Sequence, residues 1–208
     1  MAAPAEPTAV GQTVAYTAHG NGYINLTSRC TLRCGFCPKF HKDWEVDGYD
    51  LRLRSAPTPE EVLAAVGDPG TYREVVFCGL GEPTLRLPLL LAVADRLKAR
   101  GATIRVNTDG LASWREGRDV TPEIGARVDA LSISLNAQHA ELYDRHCRPP
   151  ALGAYAAMLD FAGRARHHVA EVTLTAIHGL EGVDIDACRG IAERMGVNFR
   201  ARYLDRVG

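Results

Sequence analysis

Residues 130–136 read Ala-Leu-Ser-Ile-Ser-Leu-Asn, a strict alternation of apolar and small polar side chains. Period two marks a strand, with Leu131, Ile133 and Leu135 on one side and Ser132, Ser134 and Asn136 on the other. The pattern recurs outward along the chain. Ile24 and Leu26 oppose Asn25 and Thr27; Ile104 and Val106 oppose Arg105 and Asn107; Phe199 and Ala201 oppose Arg200 and Arg202. The predicted strands are Tyr23–Thr27, Glu74–Cys78, Thr103–Thr108, Ala130–Asn136, Glu171–Ile177 and Asn198–Leu204. Helical patterns fall near Pro59–Val66, Leu87–Arg100, Thr121–Arg127, Leu152–His167 and Asp186–Met195. Alternating strands and helices mean a parallel sheet with right-handed crossovers. A doubly wound sheet buries both faces and reads as continuous apolar runs. One polar face instead suits the interior of a barrel that holds a charged ligand.

Length limits how much of a barrel can form. An eight-unit barrel takes about 250 residues, or about 31 per unit. Residues 1–21 are Ala-, Pro-, Gly- and Thr-rich and read as a flexible tail. The remaining 22–208, read as a single domain, hold about six such units. The expected fold is α/β, a partial (β/α)6 barrel of parallel strands.

Charge and composition narrow the partners. Lys and Arg number 24 against 25 Asp and Glu, a net charge of −1, without the basic excess of a general nucleic-acid binder. Lys39, Lys42 and Lys98 are the lysines, so positive charge sits mainly on arginine forks suited to carboxylates and phosphates. No apolar run approaches the roughly 18 residues of a membrane span. No basic region followed by an apolar stretch opens the chain, and a cytoplasmic protein is expected. In a reducing compartment, metal or catalytic roles for the six cysteines outrank disulfides.

The first strand runs into Cys30-Thr31-Leu32-Arg33-Cys34-Gly35-Phe36-Cys37-Pro38. Three thiolates at this spacing can grip one iron–sulfur cube and leave one iron open, whereas electron-transfer clusters carry four cysteines. Zinc held by the same three with His41 is an alternative, although zinc modules usually pair C-x2-C knuckles. A buried cysteine stripe is the third reading, and Gly35 and Pro38 spoil the helix it needs. Cys147 and Cys188 have no nearby companion, so a second cluster is not expected. Arg200 and Arg202 are expected to face inward, where unpaired burial is too costly and an anionic partner follows. The connection 39–56, with His41, Trp44, Tyr49 and Arg52, reads as a substrate-binding or shielding loop or as a solvated one.

The cysteine loop resembles that of the radical S-adenosylmethionine (SAM) superfamily. The resemblance extends through GYDL at 48–51, EVVFCGLGEPTLRL at 74–87, RVNTDG at 105–110, SISLN at 132–136, YDRHCRP at 143–149 and FRARY at 199–203. Together these are similar to the TatD-linked radical SAM proteins, a family named for genes beside a TatD-type nuclease. The resemblance implies a partial (β/α)6 barrel and one [4Fe–4S] cluster on Cys30, Cys34 and Cys37, with Phe36 before the last of them. It implies SAM chelated by the open iron. Cleavage to methionine and a 5′-deoxyadenosyl radical would then take hydrogen from an unidentified substrate, small or nucleotide-like. Oxygen sensitivity and a ferredoxin or flavodoxin electron donor go with that chemistry.

Residue by residue, the resemblance makes Gly79, Gly81 and Glu82 the counterpart of a GGEP motif, with Glu82 accepting from the SAM ammonium. Asn107 ends the third strand as in a TNG turn, with Asp109 where Asn is expected. Ser134 and Asn136 are matched to contacts with the SAM carboxylate or ribose. Ile177 is matched to an apolar contact for adenine. The anion expected at Arg202 from the cost of unpaired burial is the SAM carboxylate, a substrate phosphate or Glu82. Cys78 faces the barrel interior on the register read above, where it is either a small core residue or a hydrogen-atom donor to a product radical. The alternatives are an activase acting on a partner protein and a non-catalytic, zinc-stabilised binding module.

Overall fold

Parallel strands alternate with helices along the chain. The computed structural model describes residues 11–41 and 43–203. The described residues fall into two compact units. The described residues up to Cys30 join Pro38–Val106, and Thr31–Cys37 join those from Asn107 onward.

In the first unit, β1 (Ala15–Ala18) pairs antiparallel with β2 (Asn21–Ile24). His19 and Gly20 between them have φ of 51° and 78°, the left-handed pair that a two-residue hairpin matched to strand twist requires. Part of the expected tail is therefore folded, while residues 1–10 lie outside the described residues. Gln12, Val14, Tyr16 and Ala18 are buried in alternation, a period-two signal masked by Ala and Thr. Gln12 ties this segment to the 54–55 backbone, its Oε1 accepting from the N–H of Arg54 at 2.8 Å and of Ser55 at 3.1 Å.

Helix α1 (Pro38–His41) and a small hairpin of β3 (Glu45–Val46) and β4 (Tyr49–Asp50) follow the cysteine loop. Tyr16, Val46 and Leu51 form a small core with Tyr23, Tyr49 and Leu80 against it. Helix α2 (Pro59–Val66) starts where Thr58-Pro59 predicts. The Thr58 N–H donates to Glu61 Oε2 at 2.8 Å and the Glu61 N–H returns to Thr58 Oγ1 at 3.2 Å, a reciprocal capping box. After β5 (Val75–Phe77), helix α3 (Leu87–Lys98) leads to β6 (Ile104–Thr108). β2, β5 and β6 are parallel, with Ile24 opposite Phe77 and Phe77 opposite Val106. Arg105 donates to both Glu74 carboxylate oxygens, at 2.8 and 3.0 Å, across the starts of β5 and β6.

The second unit carries α4 (Ala112–Glu116), α5 (Thr121–Gly125), β7 (Ala130–Ser134), α6 (Ala140–Cys147), α7 (Ala154–Ala165), β8 (Glu171–His178), α8 (Ile185–Met195) and β9 (Asn198–Tyr203). β7, β8 and β9 are parallel neighbours. Helices α4, α5 and α6 pack on α7, and α8 packs on β8 and β9. Ser132, Thr173 and Thr175 are buried, and every residue from Val172 to Ile177 is buried too. Small hydroxyls tolerate burial by bonding locally, as Thr175 Oγ1 does to the Ile133 carbonyl at 3.4 Å. In β9 the arginines differ: Arg200 is exposed rather than inward, and Arg202 is half-buried. Among the described residues no helix is long and apolar enough to cross a membrane.

Candidate functional site

The first unit holds the glycine turn after β5 and the segment leading to Cys30. Cys78 is half-buried, and its N–H donates to the Ile24 carbonyl at 2.9 Å. It lies beside Tyr16, whose hydroxyl is pushed up by burial and then by the neighbouring Cys78. At Gly81 the turn touches the opposing backbone. A Cβ there would stand 1.9 Å from the Thr27 carbonyl oxygen and 2.6 Å from that of Arg29, so no side chain can be accommodated. At Gly79 a Cβ would stand 2.4 Å from Asn25 Oδ1. Glu82 is buried, and its N–H donates to the Arg29 carbonyl at 2.8 Å. Its Oε1 accepts from the N–H and hydroxyl of Thr84, at 3.0 and 2.7 Å, capping the turn at Pro83–Arg86. Asn25 Nδ2 donates to the carbonyls of Thr13 and Leu51, while its buried Oδ1 has no hydrogen-bond partner among the described residues.

The second unit holds Thr31–Cys37 against the end of α6 by main-chain bonds. The Arg33 N–H donates to the Cys147 carbonyl at 3.0 Å and the Gly35 N–H to the His146 carbonyl at 2.9 Å. These last-turn carbonyls have no partner within a helix, so the loop supplies one. Leu32 is buried beneath it, and Phe36 and Cys37 are half-buried. The Cys34 thiol is hydrogen-bonded to that of Cys147. That bond and burial hold it in the protonated form, with Asp109 adding to the effect.

Asn107 presents a buried Oδ1 without a hydrogen-bond partner among the described residues. Asp109 forms the turn that follows, its Oδ1 accepting from the Leu111 N–H at 2.9 Å, so an Asp serves there as an Asn would. Ser134 ends β7, half-buried and in register with Thr175. Asn136 has left the strand, with φ 57° and its N–H on the Thr175 carbonyl at 3.0 Å. Its Oδ1 accepts from Arg202 at 3.2 Å and its Nδ2 donates to Cys147 Sγ at 3.5 Å. Ile177 is buried and in register with Arg202. Within this unit Cys34, Asn136 and Arg202 are thus linked through Cys147. Sequence reasoning gave Cys147 and Tyr143 no role, although both lie in the YDRHCRP phrase at 143–149. Tyr143 is fully buried, its hydroxyl has no partner among the described residues, and burial followed by the nearby Cys147 and Asp109 pushes it up.

The model of the radical SAM superfamily matches residues 24–195 of this chain. The chain belongs to the radical SAM superfamily. A GTP 3′,8-cyclase of Corynebacterium glutamicum is 29% identical over 168 residues, covering 78% of this chain and 43% of that protein. The tungsten-containing aldehyde ferredoxin oxidoreductase cofactor-modifying protein of Pyrococcus furiosus is 32% identical over 116 residues, 55% of this chain and 30% of that one. The chain thus spans less than half the length of these relatives. Streptococcus suis SuiB shares the fold at a TM-score of 0.65 and 12% identity, over 89% of this chain and 40% of that one. Native anSMEcpe with bound AdoMet does so at 0.60 and 12%, over 88% and 50%. The architecture is that of these radical SAM structures: α/β, mostly parallel, a partial barrel that does not close.

Superfamily membership implies a [4Fe–4S] cluster and SAM, and the residues fit both. The loop offers three thiols and is anchored by the backbone N–H groups of Arg33 and Gly35. The buried oxygens of Asn107 and Asn25 await donors that the described residues do not provide. Among the described residues no three His, Cys, Asp or Glu side chains already form a metal site, and the Cys34 thiol is engaged by Cys147. His41, the fourth ligand of the zinc alternative, stands exposed on α1.

Proposed function

We propose that this chain carries the catalytic core of a radical SAM enzyme of the TatD-linked kind. Its substrate would be a small, nucleotide-like molecule and its electron donor a ferredoxin or flavodoxin. The observation that carries this reading is the cysteine loop: three thiols within one turn-rich segment, tied down by the backbone at Arg33 and Gly35. Cys30, Cys34 and Cys37 would hold the cluster. When bound, cluster and SAM supply a one-electron cleavage that initiates hydrogen abstraction. Gly79 and Gly81 let the backbone approach the cofactor, and Glu82 accepts from its ammonium. Asn107 offers its unsatisfied Oδ1 to a donor on the ligand, Ser134 a hydroxyl, and Ile177 an apolar wall. Arg202, which donates to Asn136 Oδ1, would meet a carboxylate with Asn136 beside it, and Cys78 would return a hydrogen atom to product. GTP in the names of the cyclase relatives supports a nucleotide-like substrate.

Anaerobic reconstitution tests the reading. About four irons per chain and release of 5′-deoxyadenosine after dithionite reduction are expected, both lost when Cys30, Cys34 or Cys37 is replaced by alanine. Stoichiometric zinc with no nucleoside release would overturn it.

A further inference from the structure

Ile24 opposite Phe77 is the last ladder pair of β2 and β5, yet the two segments stay together beyond it. The Cys78 N–H donates to the Ile24 carbonyl at 2.9 Å and the Glu82 N–H to the Arg29 carbonyl at 2.8 Å. Between those bonds the contact is made at the two glycines, Gly81 against the Thr27 backbone and Gly79 against the side chain of Asn25. A Cβ on Gly79 would stand 2.4 Å from Asn25 Oδ1, 3.0 Å from its Cγ and 3.3 Å from its Cβ. The φ of Gly79 lies outside the left-handed region, so its torsions do not call for glycine. Glycine is needed there for space. Asn25, buried in β2's continuation, cannot swing aside. One end of its amide meets the carbonyl oxygens of Thr13, at 3.1 Å, and Leu51, at 2.9 Å. Both partners only accept, so that end is Nδ2 and both of its N–H groups are used. Oδ1 is thereby turned to Gly79, buried and with no hydrogen-bond partner among the described residues.

We propose that Asn25 is a positioning residue for the turn Gly79–Glu82: its doubly anchored amide sets how the turn lies against the segment that delivers Cys30, and Gly79 is glycine to admit it. Three stretches of chain meet at this one amide. They are Thr13 ahead of β1, Leu51 after β4, and the glycine turn. Leu51 also belongs to the small core on which Leu80 packs, between the two glycines. The clamp on Leu51 therefore holds the surface that seats Leu80, and the Oδ1 contact holds Gly79 beside it. Glu82 follows three residues later, so a loosened amide shifts its carboxylate relative to Cys30. The role rests on the reading above of this turn as the SAM contact, and it gives Asn25 a task in which it need not touch SAM.

Asn25→Ala, Gly79→Ala and the double variant form a cycle read by thermal melts of the cluster-free chain. Gly79→Ala should melt about 6 °C lower in the wild-type background. In the Asn25→Ala background, where the opposing oxygen is gone, the same change should cost about 2 °C or less. Asn25→Ser takes the place of Asn25→Ala in the cycle if that variant does not fold. An equal loss in both backgrounds overturns the contact. Iron content and 5′-deoxyadenosine release by the wild type examine the SAM reading by themselves. Their failure removes that reading and the positioning role with it, while the contact stands or falls on the melts. In reconstituted protein the Asn25 variant should raise KM for SAM in the uncoupled cleavage about tenfold, the worth of about one hydrogen bond. Its kcat per loaded cluster should stay within about twofold of wild type. Destabilisation alone would lower the yield of loaded enzyme and leave KM in place, so an unchanged KM overturns the positioning role.

Discussion

Replacing Gly81 by alanine should be the most damaging single-methyl change in the first unit. The added Cβ would sit 1.9 Å from the Thr27 carbonyl oxygen and 2.6 Å from that of Arg29. Carbon and carbonyl oxygen normally approach no closer than about 3.3 Å. The obstacle is backbone on both sides, so no side chain can swing away. Relief requires parting the turn from the Thr27–Arg29 segment, which sacrifices the 2.8 Å bond from the Glu82 N–H to the Arg29 carbonyl. Overpacking costs about 1–3 kcal/mol and the lost bond about 1 kcal/mol, together about 3 kcal/mol. At about 2–4 °C per kcal/mol for a chain of this size, the cluster-free protein should melt about 6–12 °C lower. Gly163→Ala is the control. It lies in α7, where a Cβ meets only Met195 Cε at 3.9 Å, and should be neutral or gain about 0.5–1 kcal/mol. Thermal melts by circular dichroism under reductant decide the matter. A Gly81→Ala protein melting within about 1 °C of wild type would show that the close approach does not exist.

Two further changes probe groups whose cost or charge the fold sets. Tyr143→Phe removes a buried hydroxyl that has no partner among the described residues, so the cluster-free chain should gain about 1 kcal/mol in urea unfolding; a loss of stability would mean the hydroxyl is bonded. Burial, with Asp184 adding to it, pushes the Cys188 thiol from 9.0 up to about 11. The folded chain then keeps a proton that the unfolded chain releases, so stability falls as pH rises from about 9 to about 11. Urea midpoints at both ends of that window should drop for wild type and drop less in Cys188→Ala, with Cys34, Tyr16 and Tyr143, which are pushed up too, keeping part of the slope; an equal slope in both would remove Cys188 as a cause.

The parallel strands of each unit were legible because period-two alternation and β-branched residues mark them, and Thr58-Pro59 announced α2 through its cap. The strand at Ala15–Ala18 was hidden because Ala and Thr carry little hydrophobic signal, although Val14, Tyr16 and Ala18 are all buried. Which polar side chains of β7 and β8 are enclosed depends on tertiary neighbours, and Ser132 and Thr175 are buried. Arg200 and Arg202 share a face in any strand register, and only tertiary neighbours decide that the first is exposed. The cysteine loop was plain from spacing alone. The Asn136 amide was not, because its partner Arg202 is 66 residues away and no local pattern encodes such a bond.

The hairpin of β1 and β2 bears on how the chain can be shortened. A version beginning at residue 22, where composition places the boundary, would strip β2 of its antiparallel neighbour and leave a row of unpaired amides open to another chain. It would also release the Arg54 and Ser55 amides that Gln12 holds, and with them the connection following Leu51. Trimming that stops short of Gln12 keeps both. Any shortened protein that aggregates or loses iron should first be checked for the presence of those few residues.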